Sequence, residues 1–395
     1  MFERYTAHFH LRAAAGMGAL HGVFVLNEVI ARKHFGADRW QILAMMLIPA
    51  ASQLMAVFWN PASGTSFIGR RPFRTLGIGL HLLLGLPLVT GGNWNAWAFV
   101  WLLTTIWVAQ FLLVPVQNAI VARNYGAAVR GRWFGRAAAL QGLAVLTVSI
   151  PMGLWMDHDV GDWPWIYAIA GACAVFAYVQ WGRIRRRRAL AIAEDLEVHP
   201  SAWKALFKDK AFLGYEAAFM VYGLGFLALQ PVLPLYVVDE LGVTYTEFGI
   251  ARGAIFWILM IAMSPIAGRL GDKLGILRVA GLGFLILGFF PLALWLMPTT
   301  TGMFVGYAIF GIAMACVNIG WNLGPIAMAR GRDPVPYLNA HVAAVGIRAI
   351  IGMTLGALLH EAFGTTPVFL GVLVVEIVAA VMIIRLARRT PALRA

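Results

Sequence analysis

Twelve long apolar stretches follow one another along this chain, and no soluble fold has room for them. They run near 11–31, 40–59, 75–92, 95–119, 133–156, 163–181, 211–237, 247–268, 276–297, 301–325, 338–360 and 366–385. A bilayer's hydrocarbon core is about 30 Å thick and needs about 20 apolar residues per spanning helix. Each stretch is therefore expected to cross a membrane as an α-helix, since a helix satisfies its own backbone where no water can. Composition agrees: 61% of residues are apolar and 12% charged, against about 25% charged in soluble domains. A soluble enzyme, a disordered chain and a disulfide scaffold are excluded. The two cysteines, Cys173 and Cys316, sit in apolar runs and read as buried thiols.

Arg and Lys set the orientation, because they collect on the cytoplasmic side. With the N-terminus inside, 26 of the 31 Arg and Lys residues fall in cytoplasmic segments, so both termini are expected in the cytoplasm. The opposite loops are acidic, with Asp157, Asp159, Asp162, Asp239, Glu240 and Glu247. The net charge of +13 is thus a topological signal and needs no nucleic-acid partner. Arg183–Arg188, which holds five arginines, reads as an anchor against the anionic leaflet. No cleavable signal peptide is apparent before the first span.

The polar stretch 183–210 divides the chain into halves of six spans, 1–182 and 211–395. Arg74, Gly77, Gly79 and Pro87 reappear as Arg278, Gly281, Gly283 and Pro291, all at an offset of 204. A shared offset across loop and helix points to an internal duplication, a common device in transporters. Gly268-Arg269-Leu270-Gly271-Asp272-Lys273-Leu274-Gly275 lies between the eighth and ninth spans. It resembles the signature loop of the major facilitator superfamily. The first-half copy keeps Gly69, Arg70 and Arg71 but has Ser66 and Phe67 where the superfamily has aspartate and a basic residue. Ser149-Ile150-Pro151-Met152-Gly153 matches the superfamily's glycine- and proline-rich fifth-helix motif only in part.

The resemblance implies an all-α integral membrane fold of twelve transmembrane helices in two pseudo-symmetric bundles. It also implies a cavity lined by the first, fourth, seventh and tenth spans, and a conformational gate at Asp272, Arg269, Lys273, Arg70 and Arg71. Helical periodicity independently places polar stripes on those four spans. They are Met17, His21, Phe24 and Glu28; Trp107, Gln110, Val114 and Gln117; Tyr215, Tyr222, Phe226 and Gln230; and Gly311, Ala315, Asn318 and Asn322 with Trp321 beside them. Amides and tyrosines also glue membrane helices together, and that reading stays open.

Ionisable groups at membrane depth mark functional sites by default. Arg348 falls near the midplane, and either pairs with Glu376 or binds an anionic group of a substrate. His21 and Glu28, two turns apart on one face, are candidates for proton coupling. Glu28 and Arg252 both lie nearer the outer face.

No cluster with metal-ligand spacing, no phosphate-binding glycine loop and no nucleophile–base constellation stands out. The expectation is a non-enzymatic, cofactor-free, monomeric secondary transporter of the bacterial inner membrane. It would move a small anionic or amphipathic organic solute by alternating access, with protons as a coupling partner. An exporter of lipophilic compounds or lipids, and a non-transporting scaffold or sensor, remain as alternatives.

Overall fold

The computed structural model describes residues 2–55, 70–185, 206–330, 332 and 334–390. Its elements are helices, with no strand among the described residues. They are α1 (Phe2–Phe24), α2 (Asn27–Lys33), α3 (Arg39–Ser52), α4 (Arg70–Leu82), α5 (Leu86–Val89), α6 (Ala96–Asn124), α7 (Ala127–His158) and α8 (Trp163–Arg183). Then come α9 (Lys210–Leu229), α10 (Leu233–Leu235), α11 (Tyr245–Phe248), α12 (Phe256–Leu274), α13 (Ile276–Leu296), α14 (Thr300–Ala329), α15 (Val335–Phe363) and α16 (Thr365–Arg389).

Among the described residues, ten helical stretches are long and apolar enough to cross a membrane, and a shorter apolar one covers Phe73–Val89. The expected second span runs as α3 and a single 3-10 turn to Met55, and the rest of it lies outside the described residues.

Proline explains where spans break. Pro87 has no N–H to donate, and the third span splits around it into α4, a 3-10 turn and α5. Pro231 and Pro234 interrupt the seventh span, which ends in a π-helical turn at Tyr236–Glu240. The eighth opens with α11 and passes through a π-helical segment, Gly249–Ile255, before α12.

Side chains cap several of the helices. Asp38 with Gln41 and Thr244 with Glu247 form capping boxes. Asn95, Asp209 and Thr299 cap α6, α9 and α14. Gly275, at φ 89°, makes the tight turn between α12 and α13 that only glycine adopts without strain.

The chain forms two compact units: one of 1–37, 58–197 and 244–254, the other of 38–57, 198–243 and 255–395. In the first, α1 packs against α7 and α8, α4 packs on α8, and α11 packs on α7. In the second, α13 lies against α14 and α16, and α9 lies against α15 and α16. There α3 joins α15 through a cluster of Leu43, Ala349, Met353 and Ala357.

Candidate functional site

The first unit holds a polar cavity, and small residues create it. Gly18 and Gly22 sit on the face of α1 that meets α7. A Cβ on Gly18 would overlap the Gln141 carbonyl oxygen, and one on Gly22 would press on Val148. This close approach brings His21 to Gln141. The Gln141 Nε2 amide donates to His21 Nδ1 at 3.0 Å, and His21 Nε2 donates to Gln110 Oε1 at 2.9 Å. The two bonds are mutually consistent only with the proton on Nε2 of a neutral ring. Trp107 lies parallel to that ring, 7° between planes and 5.6 Å between centroids, and fixes its orientation.

The cavity beside this triad has a volume of about 230 Å³. Its polar wall is His10, His21, Gln110, Gln117, Gln141 and Tyr178; Trp181, Phe134, Met17 and aliphatic side chains complete it. Among the described residues, no Arg, Lys, Asp or Glu lines it. His10 Nδ1 bonds to the Tyr125 hydroxyl at 3.2 Å. Gln110 is 6% exposed and its Nε2 has no partner. A buried amide donor left unpaired costs about 1–3 kcal/mol, so this N–H is poised for an acceptor on whatever enters.

The remaining predicted substrate-binding residues lie in the second unit. Arg348 is 3% exposed. Its Nη1 donates to the Phe219 carbonyl at 2.9 Å, and its guanidinium carbon stands 6.0 Å from the centre of the Tyr222 ring. A Cβ on Gly223 would overlap the Arg348 side chain, so that glycine makes its berth. Tyr222 stacks on Phe284. Glu376 is fully buried and forms no ion pair with Arg348 or any other described cation. Gln230 Nε2 donates to the Phe226 carbonyl at 3.5 Å, and Asn322 Nδ2 to the Asn318 carbonyl at 2.8 Å. Asn318 Nδ2 points at Met260 Sδ, 3.7 Å away. Trp321 stands edge-on to His341.

Glu28 sits in the first unit but away from the cavity. Arg252 Nη1 donates to its Oε2 at 2.7 Å. The π-helical segment that carries Arg252 is pressed onto α7, where a Cβ on Gly253 would overlap Ser149. Nearby, Asp157 accepts from the amides of Tyr245 and Thr246 at 2.9 and 2.8 Å. Asp272, Arg269 and Lys273 are exposed. Asp272 does not cap the following helix, which starts at Gly275 with no side-chain cap. Arg70 and Arg71 open α4, and their side chains lie outside the described ones, as do Ser66, Phe67 and Gly69.

Periodicity on single spans thus brings His21, Gln110, Gln117, Met17 and Val114 to one cavity. It misses His10, Gln141, Tyr178 and Trp181, which reach the same cavity from elsewhere on α1 and from α7 and α8. It also misses a buried pair in the second unit, Glu216 and His341, whose carboxylate and ring meet at 2.9 Å. Equal depth of one acid and one base in two spans is the signal that finds such pairs, Glu28 and Arg252 included. Among the described residues, no group of three or more His, Cys, Asp or Glu side chains is arranged to hold a metal.

The profile of the Major Facilitator Superfamily matches residues 13–332 and 217–395. The multidrug resistance protein MdtG of Yersinia enterocolitica is 23% identical over 286 residues, 70% of this chain and 67% of that protein. A bacterial homolog of the human lysosomal transporter Spinster, inward-facing and unoccupied, superposes with a TM-score of 0.72. It is 14% identical, over 98% of this chain and 97% of its own. The nucleoside transporter NupG gives 0.70 at 13% identity, over 96% and 99%. A POT family transporter in complex with a thioalcohol-conjugated peptide gives 0.69 at 16%, over 98% and 95%.

Proposed function

The chain belongs to the major facilitator superfamily, and on that premise we propose that it is a secondary transporter whose cavity beside His21 binds an uncharged or amphipathic organic solute. The observation that carries this is the cavity wall: three amides, two imidazoles and aromatic faces, with no formal charge among the described residues. A charged solute there would lose its hydration and meet no counter-charge, which is costly in a low-dielectric site. A neutral flat molecule with one acceptor takes the free Gln110 N–H and lies against aromatic side chains.

In this reading residues 1–182 and 211–395 are the two halves that rock about the solute, joined by 183–210. Asp272, Arg269, Lys273, Arg70 and Arg71 form the gate. Tyr222, Gln230, Asn318, Trp321, Asn322 and Arg348 are the second half's contribution to the solute's path. The protein is a monomer of a bacterial inner membrane with both termini in the cytoplasm, an orientation supported by the basic residues of its loops.

The test is a thermal-shift screen with sets matched in shape and differing in charge, such as nicotinamide, nicotinate and 1-methylnicotinamide. The neutral member is expected to stabilise the protein most, and Gln110→Leu to abolish its advantage. Stabilisation by the anion alone would move the site to Arg348. A second reading, export of lipophilic compounds, is favoured by the resemblance to a multidrug resistance protein. Uptake into inside-out vesicles distinguishes it. A non-transporting scaffold or sensor would give binding without flux.

A further inference from the structure

We infer that Gln141 is a positioning residue that sets, through His21, the hydrogen-bond polarity Gln110 turns to the cavity; this rests on the solute-binding reading above. The outcome is a site for neutral rings that offer a hydrogen-bond acceptor, and against rings that offer only a donor.

The three residues come from three helices of the first unit, His21 on α1, Gln110 on α6 and Gln141 on α7. They form a chain in which each bond dictates the next. Gln141 Nε2 can only donate, so His21 Nδ1 accepts, at 3.0 Å. A neutral imidazole that accepts at Nδ1 carries its proton on Nε2. That N–H takes Gln110 Oε1, at 2.9 Å. With its oxygen engaged, the Gln110 amide has Nε2 left to offer, and this atom is buried with no partner. A donor on α7 is thus repeated as a donor at the cavity wall, one imidazole away.

Packing keeps the chain in register. At Gly18 the two helices are so close that a Cβ would overlap the Gln141 carbonyl oxygen, which holds Gln141 within reach of the ring. Trp107 lies 7° from parallel to the imidazole. It is itself packed against Phe24 and Phe111, with centroids 5.5 and 6.1 Å away. The Tyr178 hydroxyl in the same wall can turn to donate or to accept and so discriminates weakly. Gln110 differs because its polarity is fixed from behind.

Selectivity is a difference between two affinities. The ring nitrogen of quinoline accepts from the Gln110 N–H. The N–H of indole faces that same N–H, and both donors stay unpaired. Gln141 also borders the cavity, so the test has to separate the relay from direct contact with the solute.

The whole protein in nanodiscs is titrated calorimetrically with quinoline and with indole at pH 8, where both are uncharged. Quinoline is expected to bind more tightly by roughly 2–12-fold, the worth of one neutral hydrogen bond. Gln141→Met, which keeps the length but has no N–H, should bring the two within about twofold of each other. Should that variant fail to fold, Gln141→Leu makes the same test. In a Gln110→Leu background, Gln141→Met should leave the quinoline-to-indole ratio unchanged, because the relay has lost its end. Direct contact would change the ratio as much there as in wild type.

¹⁵N-histidine labelling follows the chain without any solute. The ring signals lost in His21→Asn should show a neutral imidazole protonated at Nε2 in wild type and a mixture of tautomers in Gln141→Met. A ring protonated at Nδ1 in wild type overturns the proposal. So does a ratio unmoved by both Gln141 variants, or one moved equally in the Gln110→Leu background. If neither ring binds while the nitrogen signals behave as expected, the solute-binding reading fails for such rings and the relay from Gln141 to Gln110 is upheld.

Discussion

Asp209 does two jobs that substitutions can separate. Its carboxylate accepts from the amides of Ala211 and Phe212 at 3.1 and 3.2 Å and so caps α9. It also takes Arg330 Nη2 at 2.8 Å, Arg332 Nη2, and the Tyr337 hydroxyl at 3.2 Å. Asp209→Asn keeps a capping oxygen, and Asn caps as well as Asp. It removes the charge and replaces the oxygen that accepts from Arg332 and Tyr337 with an NH2 group. The two arginine side chains are 40% and 51% exposed, so each pair is worth ~0.2–1 kcal/mol, and the variant should lose about 1 kcal/mol. Asp209→Ala loses the cap as well, a further ~1 kcal/mol. Differential scanning fluorimetry in detergent should therefore rank wild type above Asn and Asn above Ala.

Salt sharpens the test of that ranking. At about 1 M NaCl the Debye length is roughly 3 Å, so the gap between wild type and Asn should shrink while that between Asn and Ala persists. Burial acts to raise the Asp209 pKa, but the bonds from Arg332 and the Phe212 amide and the charges of both arginines outweigh it and hold the carboxyl below its usual value. Its contribution is then fully present above about pH 4 and is lost as pH falls through the lowered value, where wild type should converge on Asn. Equal stability of Asn and Ala, or a wild-type advantage indifferent to salt and acid, would refute the division of labour.

Other outcomes follow from the same contacts. Gly253→Ala forces a methyl into Ser149 and should cost ~1–3 kcal/mol; Ser149→Gly should restore most of it in a melting assay. Arg252→Ala strands the Glu28 carboxylate, 11% exposed, and should destabilise more than Glu28→Gln, with the double variant recovering part of the loss. Because Arg348 bonds to a carbonyl rather than to Glu376, the melting effects of Arg348→Gln and Glu376→Gln should add to within ~0.5 kcal/mol; strong coupling would reinstate the pair. Gln110→Leu should weaken binding of a neutral ligand by roughly 2–12-fold, the worth of one neutral hydrogen bond, in calorimetry.

The fold was legible because a bilayer reduces the problem to counting apolar runs. Half of the cavity was legible for a related reason. His21 with Met17, and Gln110 with Gln117, share faces of single helices, and helical period is a local property. Gln141 and Tyr178 were not, since their faces are defined by which helix packs against which. The same holds for Glu216 with His341 and Glu28 with Arg252, 125 and 224 residues apart. Depth in the membrane matched these partners, but only packing shows that they touch. Of the two roles the sequence offered Asp272, capping is absent, since the following helix has no side-chain cap.

The uncharged wall of the cavity also bears on how the protein works against a voltage. Moving one elementary charge through a membrane potential of 100 mV involves about 2.3 kcal/mol, enough to change a reorientation rate roughly fiftyfold. Among the described residues, a wall of His10, His21, Gln110, Gln117, Gln141 and Tyr178 carries no such charge, so swinging these groups from one leaflet towards the other does no electrical work. With a neutral cargo, both the loaded and the empty strokes are electrically silent at this site. Any current the protein generates then reports on ions bound elsewhere in it.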